Sequence, residues 1–580
     1  MSDEHTRLTC RLRFSAIIAI LTLHVSLLAW MAWANSPVHN EVGHLPAGLS
    51  HWQNGTFQLY RVNPPLVRMI AALPVLWAKP VTDWTQIYDG PRSRPEFNTG
   101  VRFLELNGPR VFGLFTLARW GCIPLSLIGA WACYRWSHDL YGTQAAMISL
   151  CLWCFCPHVL GWGATITPDV GSAAIGVAAC YRFWKWLGQP SFASAVGAGV
   201  LLGAAELTKT TWLILFAVWP ASWACRWMRG RSNSPAVDST DRPSLLGVAG
   251  ILLLGVYLLN CGYGFTGVGQ PLGEFDFISR TLGGEDAHRE AGNRFRGTAL
   301  ENVPVPLPDD YVRGLDVQKH DFESEFWSYL RGEFRRKGWW YYYLYGLTIK
   351  TPVAFVGLLV VAVCLTIFSQ RYRLPAWEET ALLLAPATVL LLLSSQTGFN
   401  HHIRYALPAI PFLYVAISRV GLAFASGHNS LRVGIALLIA AGAAESLSVV
   451  PHSLSFFNVA VGGPAQGHRH LLDSNVDWGQ DLLRLKQWQL DHPDATPFYT
   501  ATFGLVSPQR VGINSSSMPD EQEVPLPGWY AISLNHLHGY EHQFVSTGFP
   551  HFMSQPPADY VGYSILIYRV PPEAAEVKSP

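Results

Sequence analysis

Apolar runs long enough to cross a lipid bilayer recur along this 580-residue chain and limit its fold more than any other feature. A bilayer core of about 30 Å needs about 20 apolar residues in a helix, and a helix satisfies its own backbone polar groups there. The first run, 14–34, follows Arg7, Arg11 and Arg13. Its length and Trp-rich end favour a membrane helix over a cleaved signal peptide.

The later apolar runs form two groups, separated by a polar stretch at 263–345. We expect about eleven transmembrane helices in all, because each run approaches the length of a span. A shorter run, 66–77, contains Arg68 and Pro74 and predicts an interfacial helix. The predicted spans after the first are 110–135, 143–160, 166–187, 192–208, 211–228, 244–262, 347–369, 377–395, 402–424 and 431–450.

Composition fits a membrane protein with sizeable polar segments. Hydrophobic residues make up 50% of the chain and charged residues 14%, whereas soluble domains average about 25% charged. The net charge is +1, which gives no electrostatic footprint for nucleic acid. Nine of the ten cysteines lie in or beside apolar runs. We therefore expect buried apolar thiols and no disulfide framework.

Lys and Arg in the short loops predict the orientation. With the N-terminus in the cytoplasm, the short loops assigned to the outside contain Lys209 alone, as the positive-inside rule requires. The chain is thus expected to be a multi-pass protein of the cell (inner) membrane. Its three long polar segments, 35–108, 263–345 and 451–580, would lie on the outer, periplasmic face.

The tail, 451–580, has no apolar run of spanning length. We expect a transmembrane domain at 1–450 and a small extracytoplasmic α/β domain at 451–580. Helical periodicity occurs at 481–490, and strand-like alternation occurs at 498–503, 529–534 and 563–569.

Ionisable residues near membrane depth are functional candidates, because a charge inside a bilayer is costly. They gather at the predicted outer surface, where Glu41 follows the first span and Asp169 begins a later one. Lys209, Lys350 and Arg404 lie at the same level. Each also has a structural interpretation: helix capping for the acids and snorkelling anchors for the cations.

Asp473, Asp477 and Asp481 are spaced by four residues and would share one face of a helix. They are candidates for acceptor binding or for a structural role. Calcium is conceivable, but the segment lacks the EF-hand pattern, so a turn leading into a helix is an equal interpretation.

Histidines suggest a metal site as a further option. His401 and His402 form a doublet, and His39 and His44 lie on the first long loop. Imidazole is a common ligand of divalent transition metals. The chain contains 20 His, however, so chance proximity is an equal explanation, and no cofactor is required by the sequence.

Several segments resemble the lipid-carrier-dependent glycosyltransferases of the GT-C fold, which include protein O-mannosyltransferases and lipid A aminoarabinose transferases. The resemblance is nearest to the bacterial phospholipid carrier-dependent members. The segments that carry it are HNEVGHLPAGLSHWQNGTFQLYRVNPPL at 39–66, TPD at 167–169, LTKTTW at 207–212, GWWYYYLYGLTIKTP at 338–352, IRYALPAIPF at 403–412 and FFNVAVGGPAQGHRHLLDSNVDWGQDL at 456–482.

The resemblance implies a mainly α, polytopic GT-C-like membrane fold. It also implies transfer of a hexosyl or pentosyl group from a polyprenyl-phosphate donor to a protein, lipid or glycan acceptor, with inversion at the anomeric carbon. Glu41 or Asp169 would be the general base, and cationic side chains would bind the donor phosphate. The candidates for that binding are Arg404, Lys350, Lys209 and Arg61.

Two positions depart from the family pattern. The first outer loop usually carries Asp-Glu, and this chain has Asn40-Glu41. Relatives often have His or Lys before the Pro-Pro pair, where this chain has Asn63.

A transporter or flippase is the main alternative function. A third hypothesis is a binding or scaffold protein whose outer α/β tail carries the function. Transporters usually have repeat symmetry and interrupted helices near the midplane. Charges that converge on one outer-facing cavity would favour the transferase, whereas charges along a path through the bilayer would favour the transporter.

Overall fold

The computed structural model describes residues 2–85, 87–230, 242–425, 429–516, 518, 525–541 and 544–572. The last eight residues of the predicted tail domain, 573–580, lie outside this range. The helices are α1 Ser2–Ala34, α2 His39–Asn54, α3 Leu66–Trp77, α4 Glu96–Asn107, α5 Val111–Tyr141, α6 Thr143–Cys154, α7 Pro157–Gly163, α8 Pro168–Gly188, α9 Phe192–Glu206, α10 Leu215–Gly230, α11 Leu245–Gly262, α12 Arg280–Gly283, α13 Asp309–Glu323, α14 Tyr342–Ile349, α15 Val353–Phe368, α16 Ala376–Ser395, α17 Ile410–Ile417, α18 Asn429–Leu447, α19 Leu482–Asp491, α20 Leu534–Leu537 and α21 Pro550–Met553.

Among the described residues, six helical stretches are long and apolar enough to cross a membrane, or up to eight if two bent pairs count as one span each. The pairs are α6 with α7, bent by 52°, and α14 with α15, bent by 113°. The chain is therefore a multi-pass, mainly helical membrane protein. The predicted count of about eleven is not confirmed. The predicted spans at α9 and α10 have only 15 and 16 residues, short of the about 20 that a bilayer requires.

Small residues let two helices of the bundle approach closely. Gly199 and Gly203 of α9 face α11, and a Cβ built on Gly203 would lie 2.6 Å from the Cβ of Leu258. Such small-residue contacts are how membrane helices gain packing where lipid removes the hydrophobic driving force. The core of the bundle is built around α5, which packs against α3, α6 and α8.

The three long polar segments contact one another and form one layer, which we call the loop face (35–110, 263–345 and 451–572). Arg61 of the first binds Asp310 of the second at 2.6 Å. The backbone N–H of Ser36 donates to the carbonyl of Gln480 in the third at 2.9 Å. The predicted grouping of these segments is therefore observed, while the side of the membrane on which they lie stays a prediction.

The third segment contains a mixed four-stranded sheet of order β3-β4-β8-β7, in which only the β3–β4 pair is parallel. Its residues Leu485, Phe498 and Ile567 share one buried core with bundle residues such as Phe115 and Trp153. The boundary of a separate domain at 451 therefore stays a prediction. The strands are β1 Ser328–Leu330, β2 Glu333–Arg335, β3 Phe498–Ala501, β4 Gly528–Ser533, β5 Tyr540–Glu541, β6 Phe544–Val545, β7 Asp559–Val561 and β8 Ile565–Val570.

Candidate functional site

A cavity of about 410 Å³ opens in the loop face, and three of the sequence-predicted residues line it together: Asp169, Lys209 and Arg404. They come from the start of α8, from the break after α9 and from the short 3-10 helix Ile403–Ala409. All three side chains are buried. Residues more than 230 positions apart in sequence thus form one charged site.

Asp169 and Lys209 form a close ion pair, with Nζ donating to Oδ1 at 2.7 Å. Pro168 opens α8, as proline favours the first helical turn, and this fixes Asp169 at the end of the helix that faces the cavity. Lys209 is not paired with Glu206, which lies three residues earlier in the sequence. Glu206 instead accepts a hydrogen bond from Tyr311 at 2.8 Å.

The guanidinium of Arg404 lies close to two indole rings, 4.7 Å from the ring centre of Trp162 and 5.6 Å from that of Trp478. Its Nη1 is 3.8 Å from Oδ2 of Asp169, and its Nη2 donates to Asn40 at 3.5 Å. Its buried Nε has no hydrogen-bond partner among the described residues. Because an unsatisfied buried donor is costly, this cation is well suited to an anionic ligand in the cavity.

Asn40 occupies the position where the family resemblance expects aspartate. Its amide oxygen accepts from the indole N–H of Trp478 at 2.9 Å, and its amide nitrogen donates to the hydroxyl of Tyr60 at 2.7 Å. An amide can do both, whereas an ionised carboxylate only accepts. The substitution is therefore integrated into the cavity wall and removes one negative charge from it.

Glu41 does not line this cavity. Its buried carboxylate accepts two hydrogen bonds from Arg119, at 2.6 and 2.9 Å, and one from each of the backbone N–H groups of Val38 and Ile166, both at 2.8 Å. These contacts join α2 to α5 and to the segment before α8. The geometry thus favours the structural interpretation of Glu41, and its role as general base stays a prediction.

Asp321, near the end of α13, is a cavity residue that the sequence analysis missed. Its carboxylate lies 3.5 Å from Nη1 of Arg94. Burial raises the pKa of Asp321, although Arg94 opposes the shift. Nothing in the sequence singles it out, because it is one of several charged residues in a polar stretch.

Two predicted phosphate-binding residues lie elsewhere and have structural partners. Lys350 is buried and donates to the backbone carbonyls of Leu454 and Asn475, at 3.0 and 2.5 Å. Arg61 forms ion pairs with Asp310 and Asp89, both at 2.6 Å. Neither lines the cavity. Arg61 joins the first two loop-face segments, and Lys350 joins the end of α14 to the third.

The three aspartates of the 473–482 segment do not share a helix face. Asp473 begins a 3-10 turn, Asp477 follows it, and Asp481 immediately precedes α19. The segment is thus a turn that leads into a helix. Its carboxylates accept hydrogen bonds from near and distant groups, such as the N–H of Gly479 to Asp477 and the hydroxyl of Ser564 to Asp481. Burial raises the pKa of Asp477 to about 7, whereas His452 and neighbouring donors lower the pKa of Asp481.

Two of the four histidines considered as metal ligands, His401 and His402, lie close together. One ligand atom from each lies within 4.8 Å of the other and of a carboxylate oxygen of Asp473. His39 and His44 lie away from this cluster in the cavity wall, which His402 also lines. The ring of His44 stacks on Tyr60, with centroids 4.1 Å apart. Burial, together with nearby Arg side chains, lowers the pKa of His44 well below its usual value.

A groove of about 320 Å³ adjoins the charged cavity, and both are lined by Lys209, Gln318 and Tyr405. Away from these residues, the groove runs between the 3-10 helix Thr210–Ile214 and α16 over mostly apolar side chains. A larger apolar cavity of about 930 Å³ between the ends of α1 and α5 contains none of the predicted catalytic or phosphate-binding residues.

Residues 112–224 match a family model described as dolichyl-phosphate-mannose-protein mannosyltransferase. This match confirms the predicted family resemblance over that part of the chain. No curated protein sequence matches the chain.

Solved structures resemble the chain weakly. ArnT from Cupriavidus metallidurans bound to undecaprenyl phosphate is 12% identical, with a TM-score of 0.45 over 95% of this chain and 97% of that one. The oligosaccharyltransferase AglB from Archaeoglobus fulgidus, in complex with an inhibitory peptide and a dolichol-phosphate, is 14% identical, with a TM-score of 0.38 over 74% of this chain and 54% of that one.

Proposed function

We propose that this protein is an integral-membrane glycosyltransferase that moves a sugar from a polyprenyl-phosphate donor to an acceptor at the loop face. One observation carries the proposal: a cavity with two buried cations, Lys209 and Arg404, shares wall residues with an adjoining apolar groove. A polyprenyl-phosphate sugar matches this arrangement, because its charged phosphate would suit the cavity and its apolar prenyl chain would suit the groove. The mannosyltransferase family match at 112–224 supports the same class of reaction.

The donor phosphate would bind Arg404 and Lys209. The partner-free Nε of Arg404 supplies a buried donor, and hydrogen bonds from charged donors to phosphate are about twice as strong as neutral ones. The polyprenyl chain would follow the groove past Ile214 and Leu393. Asp169 would hold both cations in position and keep the cavity close to neutral before the donor binds.

Asp321 is our preferred general base, ahead of Asp169 and Glu41. Asp169 is held by Lys209 at 2.7 Å, and Glu41 accepts four hydrogen bonds outside the cavity. Asp321 lies in the cavity with one guanidinium at 3.5 Å. Its raised pKa makes it a stronger base once ionised.

In the proposed reaction, an acceptor hydroxyl or amine attacks the anomeric carbon while Asp321 takes its proton. The bond from that carbon to the phosphate oxygen breaks, and the polyprenyl phosphate leaves with the electron pair. Arg404 and Lys209 stabilise the charge that grows on the leaving phosphate. Direct displacement of this kind inverts the anomeric centre.

We further propose that the protein lies in the cell (inner) membrane, with its N-terminus in the cytoplasm and the loop face on the periplasmic side. This orientation rests on the Lys and Arg of the short loops. Segment 451–572 would recognise the acceptor, a protein, lipid or glycan, because it contributes Leu505 to the cavity wall. A protein truncated after 464 that still transfers sugar would contradict this role.

The transporter alternative is less well supported. It predicts charged residues along a path through the bundle, whereas Asp169, Lys209 and Arg404 converge on one cavity in the loop face.

The test is binding and release with the purified full-length protein. Binding of polyprenyl phosphate should weaken at least tenfold in Arg404→Gln, while Arg61→Gln, a variant of a buried arginine outside the cavity, should bind normally. With hexosyl and pentosyl polyprenyl phosphates and a membrane extract as acceptor source, the wild type should release polyprenyl phosphate. Binding that is unaffected by Arg404→Gln would show that the donor site lies elsewhere.

A further inference from the structure

A second buried cluster lies beside the cavity, where the bundle meets the C-terminal segment. His401 and His402 come from the chain just before the 3-10 helix Ile403–Ala409, and Asp473 comes from the turn Asp473–Asn475. One ligand atom from each lies within 4.8 Å of the others. All three side chains are at most 3% exposed. Nothing in the proposed sugar transfer uses this cluster.

The distances suit a metal ion as well as they suit hydrogen bonds. Nδ1 of His401 is 3.2 Å from Oδ2 of Asp473, and Nδ1 of His402 is 3.4 Å from Oδ1 of the same carboxylate. Ligand atoms placed about 2.1 Å from a tetrahedral zinc ion lie about 3.4 Å apart. Each imidazole therefore already lies about as far from one oxygen of the carboxylate as two ligand atoms of a zinc ion lie from each other.

The surroundings supply further oxygen atoms and fix the ligands. The hydroxyl of Tyr540 lies 2.9 Å from Nδ1 of His401 and donates to Asp473. The hydroxyl of Ser474 lies 2.7 Å from Nδ1 of His402. The side chain of Asn535 accepts from the backbone N–H of Asp473 at 2.8 Å. The Asn535 contact holds the Asp473 backbone, as outer hydrogen bonds do in protein metal sites. The Tyr540 and Ser474 hydroxyls lie beside the candidate ligand nitrogens themselves, where either one could serve as a further ligand.

The backbone at Asp473 is held in an uncommon conformation, with φ of +64°. This left-handed region costs a non-glycine residue on the order of 1–3 kcal/mol, and it persists only where the surroundings enforce it. Here it turns the carboxylate toward both imidazoles.

We propose that His401, His402 and Asp473 bind one zinc ion, with Tyr540 or Ser474 as the fourth ligand. Two imidazole nitrogens favour zinc over magnesium or calcium, which prefer oxygen ligands. The site would be structural, because its ligands are buried and come from both sides of a junction. It would fasten the C-terminal segment to the 3-10 helix that carries Arg404.

The test measures metal directly and needs neither donor nor acceptor, so its outcome is independent of the proposed sugar transfer. Full-length protein is purified in detergent without chelators, stripped, and reloaded with Zn²⁺ or Co²⁺. The wild type should retain about one metal per chain, and Co²⁺ should give the intense visible bands of a tetrahedral site. Asp473→Asn and His402→Gln should bind zinc at least tenfold more weakly.

His452→Gln is the matched control, because His452 forms a single His–Asp pair with Asp481, at 3.1 Å, outside the cluster. It should bind zinc like the wild type. If folded wild-type protein retains no stoichiometric zinc and gives no tetrahedral Co²⁺ spectrum, the proposal is wrong and the cluster is a hydrogen-bonded network. A loss of zinc in His452→Gln equal to that in Asp473→Asn would also overturn the assignment.

Discussion

The ammonium group of Lys209 lies 2.7 Å from the carboxylate of Asp169, and both side chains are buried in the cavity wall. A buried pair of this kind stabilises little by itself, but the loss of one partner leaves the other charge uncompensated. Arg404 shares the same carboxylate at 3.8 Å. Asp169 thus holds two cations at the place where we expect the donor phosphate.

Asp169→Asn should therefore lower the stability of the protein by about 3–5 kcal/mol, the usual effect of breaking a buried pair. The double variant Asp169→Asn with Lys209→Met should recover part of that loss, because no unpaired ammonium group remains. Thermal unfolding in detergent, followed by Trp fluorescence, measures both. Equal stability of Asp169→Asn and the wild type would show that the pair is not formed in solution.

Glu41→Gln should also destabilise the fold, because the buried guanidinium of Arg119 loses its counter-charge. The protein that remains folded should transfer sugar at a rate close to that of the wild type. Sugar transfer per folded molecule, after size-exclusion chromatography, is the measurement. Folded Glu41→Gln with transfer reduced by ~10²-fold or more would identify Glu41 as the general base, as the family resemblance implies.

Asp321→Asn should reduce transfer by about 10²–10⁴-fold, the usual contribution of a general base, with little change in polyprenyl-phosphate binding. In the wild type the rate should rise with pH as Asp321 ionises. Because burial raises its pKa, this rise should occur at higher pH than for an exposed aspartate. Glu323→Gln, two residues along α13 and outside the cavity, is the control and should keep the pH profile of the wild type.

Asp477 should make stability depend on pH. Its pKa is raised by burial from 3.8 to about 7, so the folded state binds a proton that the unfolded state releases. This contribution is present below about pH 4 and is lost as the pH rises toward 7. Asp477→Asn should therefore flatten the pH dependence of the unfolding temperature in that window. An unchanged profile would contradict the raised pKa.

Leu393→Trp should narrow the apolar groove that adjoins the cavity. If the polyprenyl chain lies there, the KM for a long-chain donor should rise several-fold, while a donor with a short prenyl chain should be little affected. Leu391→Trp is the control, because Leu391 is exposed and does not line the groove. Equal effects on long and short donors would contradict this path for the carrier.

Much of the helical framework follows from apolar run length alone, because the cost of an unpaired backbone in lipid leaves the chain few options. The interfacial helix predicted at 66–77 corresponds to α3, with the same limits. Run length could not show that α6 and α14 would be followed by sharp bends, since these depend on tertiary packing. The predicted count of about eleven spans is not confirmed, because of these bends and because the predicted spans at α9 and α10 are short helices.

The site was predictable where a charge stood out against an apolar background, as for Asp169, Lys209 and Arg404. Where many charged residues occur together, the sequence pattern does not show which of them lie in a site. Asp321 was missed for this reason, because it lies in the polar stretch 263–345. Pattern also cannot assign partners. Lys350 and Arg61 are cations of the type that binds phosphate. In the structure, however, Lys350 donates to two backbone carbonyls, and Arg61 pairs with two carboxylates.

The two indoles that lie close to Arg404 are far apart in the sequence, so they are synthesised at different times. Trp162 belongs to α7 of the bundle, and Trp478 belongs to the third loop-face segment, more than 300 residues later in the sequence. A chain leaves the ribosome from its N-terminus. A nascent molecule whose first helices are already in the membrane therefore still lacks Trp478, one of the two indoles beside Arg404. Donor binding beside Arg404 would therefore require that segment 451–572 has been synthesised and has docked on the bundle.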